Sequence, residues 1–359
     1  MLSQLSISSL RNISAINIQP SKEVNFLLGD NGSGKTSIIE AIHLLALGRS
    51  FRTRTLKNVI QFGQQQFQVI AKINSDTPVG LQYSLTSGIQ IRLNSAPLKK
   101  LSDLASQLPL QYISANCHQF FELGPRFRRQ LVDWGVFHVE HRFNYHWQSY
   151  KKVLQQRNSA LKKRKPTAEI TLWNTHLSEH GEQINSYRLS YLSNLLTEFV
   201  PIFTRLCTDF KLAEVSLKYQ SGWLKEQSLS ASLDSSFERD RKLGYTRSGA
   251  HAADWSFKLN DADPAEMLSR GQQKLFYLAL SMAQGKLAIK DGNERSILLI
   301  DDLSSELDIA HQQNVLIELK KLPVQSFISS TDLSLGELVK DEKDKVFHVE
   351  QGEIKLANA

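Results

Sequence analysis

The sequence predicts an α/β body that is interrupted by a mainly helical insertion and then resumed. Three observations carry this expectation. Apolar or alternating runs at 3–8, 13–18 and 24–28 read as strands, and after the helical stretch strand-like apolar runs return at 296–300 and 325–329. A glycine-rich loop at 29–36 joins the run 24–28 to a helical pattern. From about residue 125 the texture changes to apolar residues at three- and four-residue steps.

The elements follow in order. The run 24–28 is mostly apolar and suits a buried strand, and 36–47 suits a helix. Residues 67–93 alternate, with turn signals near Thr77-Pro78 and Ser87-Gly88, as an antiparallel sheet would. Pro166 separates a basic helix from a long amphipathic one. The second helix carries Trp173, Leu177, Ile184, Tyr187, Tyr191, Leu195 and Phe199, and an end or kink is expected near Pro201. The segment 221–248 is polar and Ser-rich, which suits a loop with short elements. Expected boundaries are 1–110 and 251–359 for the two parts of the body, and 111–250 for the insertion.

Composition narrows the class. The chain has 359 residues, 41% apolar and 22% charged, which is ordinary globular usage. Cys117 and Cys207 make a disulfide framework unexpected. No apolar run approaches the ~20 residues of a membrane span, and 1–19 lacks the pattern of an export signal, so a cytoplasmic protein is expected. Net charge is +7 but uneven: 111–165 holds 11 basic and 3 acidic side chains, while 251–359 holds 12 and 18. A localised cationic face suits phosphate contact, although such runs are also common on solvated helices. Its densest parts are Arg126, Arg128, Arg129 and Lys162, Lys163, Arg164, Lys165.

The segment Gly29-Asp30-Asn31-Gly32-Ser33-Gly34-Lys35-Thr36 fits G-x-x-x-x-G-K-[ST] at every fixed position, between a strand and a helix that opens with Ser37. Its glycines let backbone N–H groups turn toward phosphate oxygens, and the helix start adds partial positive charge. Lys35 would span the β- and γ-phosphates and Thr36 would hold Mg²⁺. The run 296–300 ends in Asp301 and Asp302. Asp301 is the expected second Mg²⁺ ligand, and Asp302 is placed to polarise an attacking water.

Leu268-Ser269-Arg270-Gly271-Gln272-Gln273-Lys274 leads into an apolar helix, and Ser304-Ser305-Glu306-Leu307-Asp308 follows the two aspartates. In this order they resemble the signature motif and D-loop of ABC ATPases. That resemblance implies that Ser269, Gly271, Gln272 and Asp308 meet a nucleotide held by a second protomer. The distance from Thr36 to Ser269 is too long for a compact transporter ATPase, and the insertion is too short for the coiled coils of SMC proteins. Residues 28–52, the run Ala46–Thr53, the run Gly124–Trp134, and segments 268–279 and 298–308 look like the RecF family of replication and repair proteins.

The resemblance implies an ABC/SMC-type P-loop ATPase head with an inserted helical lever domain. It also implies ATP and Mg²⁺ as cofactors, duplex and single-stranded DNA as partners, and an ATP-dependent homodimer. RecO and RecR are further partners that it implies, in loading recombinase at single-strand gaps. Arg49, Arg52 and Arg54, after the phosphate-loop helix, are expected near DNA or the dimer face.

Three departures matter. Ala115-Asn116 stands where many relatives have Pro-Glu, and Gly249-Ala250-His251-Ala252-Ala253-Asp254 replaces Gly-Pro-His-Arg-Asp-Asp. Ser330, Thr331 and Asp332 occupy the place of the transporter switch histidine. With Asp rather than Glu at 302, slow hydrolysis is expected. Other readings are a non-hydrolysing ATP-dependent adaptor and an ABC-headed nuclease. His138, His141 and His146 have no zinc-site spacing, and Trp134, Tyr145 and Trp147 suit hairpin packing better than base stacking.

Overall fold

In the computed structural model the described residues are 1–74, 76–117, 119–211, 214–289, 296–338 and 341–357. They divide into two compact units. The first comprises Met1–His118, Pro201–Phe210 and Ser269–Ala359, and the second Gln119–Val200 and Lys211–Leu268.

The chain begins with β1 (Leu2–Leu10), β2 (Ile13–Ile18) and β3 (Val24–Leu28), then α1 (Lys35–Leu47). There follow β4 (Gln66–Ile73), β5 (Thr77–Ser84), β6 (Gly88–Leu93), β7 (Ala96–Pro97), α2 (Leu101–Gln107) and β8 (Leu110–Ile113). The second unit opens with α3 (Gln119–Glu122), α4 (Pro125–Val139), α5 (Phe143–Lys162) and α6 (Thr167–Leu206). Beyond it come β9 (Val215–Gln220), α7 (Leu229–Ser235), α8 (Phe237–Leu243), β10 (Asp254–Leu259) and α9 (Pro264–Met267). The first unit is completed by α10 (Arg270–Leu287), β11 (Ser296–Ile300), α11 (Ile309–Lys320), β12 (Val324–Ser330), β13 (Lys345–Glu350) and β14 (Glu353–Leu356).

Two six-stranded sheets build the first unit. One is antiparallel, in the order β2-β1-β4-β5-β6-β7. In β4, Phe67, Val69, Ala71 and Ile73 are buried and alternate with more exposed partners, as a sheet with one wet face requires. The other sheet runs β14-β13-β3-β12-β11-β8, parallel except for β14. Every residue of β3, β11 and β12 is buried, which explains why these strands read as apolar runs rather than alternations. Helix α1, with Ile38, Ile42 and Leu45, shares one core with residues of both sheets. Gln325, fully buried in β12, satisfies its amide by accepting from Leu2 N and donating to Leu2 O and Ser21 O. That side chain ties the N-terminal strand to a strand more than 300 residues away.

The units divide at different places from the expected 110 and 250. Strand β10 pairs antiparallel with β9 from Asp254↔Gln220 to Leu259↔Val215, which holds 254–259 in the second unit. Helix α6 does not end at Pro201 but continues to Leu206. Its last residues join the first unit, where Phe203 meets the Phe276 ring at 5.4 Å and Arg205 forks onto Glu318 at 2.8 and 2.6 Å.

Two arginines organise the second unit. Arg157 is fully buried and donates to Asn174 Oδ1, Asp240 Oδ2 and Thr246 Oγ1 at 2.9, 2.8 and 2.7 Å. Arg188 forks onto Asp133 at 2.8 and 3.0 Å, reaches Ala250 O at 2.7 Å, and lies 5.6 Å from the Trp147 ring. Trp147 itself stacks between Phe143 and Tyr150, so it packs the α5 hairpin as expected. His138 is buried enough to lower its pKa to about 4, and among the described residues no group of three or more His, Cys, Asp or Glu could hold a metal.

Removing one partner of a buried pair strands the other. Asp240→Ala is expected to destabilise the second unit by about 3–5 kcal/mol, read as a fall in its thermal unfolding temperature. An unchanged unfolding profile would show that Arg157 needs no counter-charge.

Candidate nucleotide site

The carboxyl ends of β3, β12 and β11 lie side by side, with Leu28 level with Ser330 and Ile300 level with Ile328. A crevice outside such strand ends is where open α/β sheets place ligands. The loop after β3 carries 29–34, and α1 then starts at Lys35. Gly29 has φ 152°, and a Cβ there would lie 2.2 Å from Val349 O, so only glycine fits against β13. The Ser33 hydroxyl is buried and has no hydrogen-bond partner among the described residues, so the loop holds an unspent polar group as well as its N–H donors.

Lys35 Nζ donates to Gly29 O at 2.6 Å and Asp30 O at 2.7 Å, which holds the ammonium inside the loop. Burial lowers its pKa below the usual lysine range, opposed by Asp302, Asp301 and Asp30. Asp301 brings the elements together. Its Oδ1 accepts from Thr36 Oγ1 at 3.1 Å and from Ser329 Oγ at 2.7 Å, and its Oδ2 accepts from Tyr112 at 3.4 Å. A hydroxyl and a carboxylate side by side are hard oxygen donors. They suit Mg²⁺, which usually takes one or two protein oxygens and completes its shell with phosphate and water. Thr36 and Asp301 would hold that ion, and bound Mg²⁺ would neutralise charge on the phosphates.

Two residues that sequence reasoning missed tie the phosphate loop and α1 to neighbouring segments. Asn12, in the turn between β1 and β2, donates to Gly32 O at 3.2 Å and accepts from Ser37 Oγ at 2.9 Å. Glu40 is fully buried in α1 and receives Arg11 in a fork at 2.9 and 2.8 Å, the Ser50 hydroxyl, and Arg52 at 3.6 Å. Neither lies in a recognisable motif, so no local signal could have found them.

Ser269 caps α10. Its Oγ accepts from Gln272 N at 3.3 Å and its N–H donates to Gln272 Oε1 at 3.0 Å, a reciprocal capping box. Ser269 and Arg270 are exposed, so this helix start can meet an anion from outside the chain. Gly271 is needed for contact, because a Cβ there would lie 2.8 Å from Glu306 O. Gln272 also donates to Asp209 at 3.0 Å. Asp209 lies 3.4 Å from His311, which in turn bonds Asp308, the cap of α11. The signature turn and D-loop are therefore linked within one chain, through an aspartate that sequence reasoning passed over. At the expected place of the switch histidine, Ser330 Oγ meets Ser304 Oγ at 2.9 Å and Asp332 caps the turn Leu333–Glu337.

The basic residues divide. Arg49, Arg52, Arg54, Arg126, Lys162, Lys163, Arg164 and Lys165 are exposed. Arg128 and Arg129 are not free for phosphate as expected. Arg128 forks onto Asp254 at 2.9 and 2.7 Å, and Arg129 donates to Ala253 O at 2.6 Å, which neutralises one and half-buries both. The segment 249–254 thus serves the packing of the second unit.

The Arg49–Arg54 segment is pinned by rings. Phe51 stacks on Tyr112 with centroids 3.9 Å apart, and His43 meets both edge-on while its Nδ1–H donates to Arg49 O at 2.8 Å. Burial drops the His43 pKa to about 4. The unfolded imidazole therefore binds a proton before the folded one does. Its stabilising effect is complete above pH ~6.5 and is lost as pH falls through about 4. His43→Gln, which cannot charge, is expected to flatten the loss of stability over that window, by about 3 kcal/mol. The measurement is the denaturation midpoint at stepped pH, and equal slopes in both proteins would contradict it.

Comparison with known proteins bears on the family and the fold. The family model described as the RecF/RecN/SMC N terminal domain matches residues 1–355. The DNA replication and repair protein RecF of Nitrosococcus oceani is 40% identical, covering 98% of each chain, and that of Cellvibrio japonicus is 39% identical over the same shares. A solved structure of the recombination mediator protein RecF with ATP, in the RecFOR pathway, superposes with TM-score 0.84 at 24% identity. It covers 99% of this chain and 97% of that one. An Smc head bound to the C-winged helix domain of ScpA gives 0.62 at 15% identity, covering 99% and 96%. An ABC-type ATPase head and sequence likeness over nearly the whole length agree, and the chain belongs to the RecF family.

Proposed function

We propose that this chain is an ATP-dependent DNA-binding protein of recombinational repair and replication, acting in the cytoplasm as an ATP-gated dimeric clamp. ATP-Mg²⁺ occupies 29–37 of one protomer, with Thr36 and Asp301 on the metal and Lys35 on the phosphates. Ser269, Gly271, Gln272 and Asp308 of the second protomer close over it. Supporting this most directly is the bond from Thr36 to Asp301 at 3.1 Å, which joins the phosphate loop to the acidic strand end. The exposed, capped start of α10 supports the second half, since its N–H groups face outward toward a phosphate that another copy would present.

Hydrolysis is slow in this reading. Asp302 polarises the attacking water with a shorter reach than glutamate, and 330–332 offers no histidine. Duplex and single-stranded DNA meet the exposed Arg49, Arg52, Arg54 and Arg126, and the run 162–165. Phosphate contacts of this kind bind without reading sequence. RecF proteins similar to this chain are named for DNA replication and repair, and a solved one for the RecFOR pathway. By extension this chain works with RecO and RecR to load recombinase at single-strand gaps. Among the described residues no helix is long and apolar enough to cross a membrane.

Steady-state ATP hydrolysis at low salt, with and without duplex DNA, tests the composite site beside Lys35→Arg and Ser269→Arg. Stimulation by DNA is expected in the wild type, with loss of turnover by at least about 10²-fold in both variants. Turnover that ignores DNA and survives Ser269→Arg would mean a monomeric ATPase and end the clamp reading.

A further inference from the structure

The signature motif ends in a residue that the reading above leaves without a role. Lys274 is fully buried near the start of α10. Its Nζ donates to Asp302 O at 2.8 Å and to Ser305 O at 2.5 Å. Both acceptors belong to the stretch that links β11 to α11, and that stretch is strained. Asp302 has φ 57° and Glu306 φ 65°, left-handed values that strain a non-glycine residue. The ammonium holds the carbonyl of one such residue and the carbonyl just before the other. Asp302 is fixed from three sides: Lys274 on its carbonyl, Ser329 Oγ receiving its N–H at 2.9 Å, and Ser304 Oγ donating to its carboxylate at 3.3 Å.

We propose that Lys274 is a positioning residue that couples the two nucleotide sites of a dimer. This rests on the composite-site reading. In that arrangement Ser269–Gly271 of a protomer contacts the partner's ATP, whereas Asp302 of the same protomer acts on its own ATP. Lys274 lies one helical turn beyond Gly271 and holds the backbone of Asp302. Gly271 also packs on Glu306 O. A phosphate drawn onto the α10 start in one site therefore sets the carboxylate of the other, through one buried ammonium and no moving domain. A buried lysine suits the task because its three donors can serve carbonyls that diverge.

Lys274→Met keeps the stem and removes the donors, and Lys274→Arg returns charge and donors. In Lys274→Met, kcat for ATP is expected to fall about tenfold while nucleotide affinity stays within about threefold of wild type. Lys274→Arg should recover most of the lost rate. Independently of turnover, hydrogen exchange without nucleotide should show the amides of 303–307 opening at least about tenfold faster in Lys274→Met, and near wild type in Lys274→Arg. If Lys274→Met does not fold, Lys274→Gln is read against the same expectations. Normal kcat and normal exchange in the variant would overturn the proposal, as would a parallel loss of nucleotide affinity. A wild-type chain that binds ATP but never turns it over would sink the underlying ATPase reading instead, and the exchange experiment would still decide whether Lys274 holds the loop.

Discussion

The Asp301 carboxylate accepts hydrogen bonds from Thr36 and Ser329, and the rest of the first unit is arranged to allow it. Thr36 stands at the start of α1 and Asp301 at the end of β11, 265 residues apart in the chain. Their meeting requires β3, β12 and β11 to be adjacent and parallel, with their carboxyl ends in register. A parallel sheet joined over such a distance must send the intervening chain out and bring it back, and the part at Gln119–Val200 and Lys211–Leu268 forms a separate compact unit. The closure entropy of a long loop grows only slowly with length, so a folded insertion is tolerated where a tight sheet is needed.

From that sheet edge the D-loop emerges under strain, and its neighbours are polar donors. Ser329 donates to Asp301 and accepts from Asp302 N, so one hydroxyl orders both acidic residues. Lys274 and Gly271 come at the same loop from α10. The site is therefore a set of backbone positions fixed by side chains of other elements, which is how left-handed residues persist at functional positions. The stacked Phe51–Tyr112 pair extends the set outward, since Tyr112 reaches Asp301 while Phe51 lies within the exposed arginine segment.

What the sequence made legible follows from how local each signal is. The phosphate loop, the strand ending in Asp301-Asp302 and the start of α10 are each encoded within a few residues, and each folds as its pattern implies. The strands of the parallel sheet were readable because burial on both faces leaves unbroken apolar runs. Asn12, Glu40 and Asp209 were not readable, because each acts through partners brought near only by the fold. The basic runs misled for a related reason. A sequence shows that Arg128 is charged but not that Asp254, 126 residues later, takes that charge. The extent of α6 beyond Pro201 was likewise hidden, since packing of Phe203 on Phe276 carries those turns into the first unit despite the proline.

The central claim is that one nucleotide is shared by two chains, and the mass of the particle in solution tests it most directly. Sedimentation velocity of the Asp302→Asn chain, chosen because the account gives Asp302 the attacking water, would be run without nucleotide, with ATP-Mg²⁺, and with ATP-Mg²⁺ after Ser269→Arg is added. The account predicts a single chain mass without nucleotide, twice that mass with ATP-Mg²⁺, and a return to the single mass with Ser269→Arg. A particle that stays single with saturating ATP-Mg²⁺, or one that doubles regardless of Ser269, would contradict it.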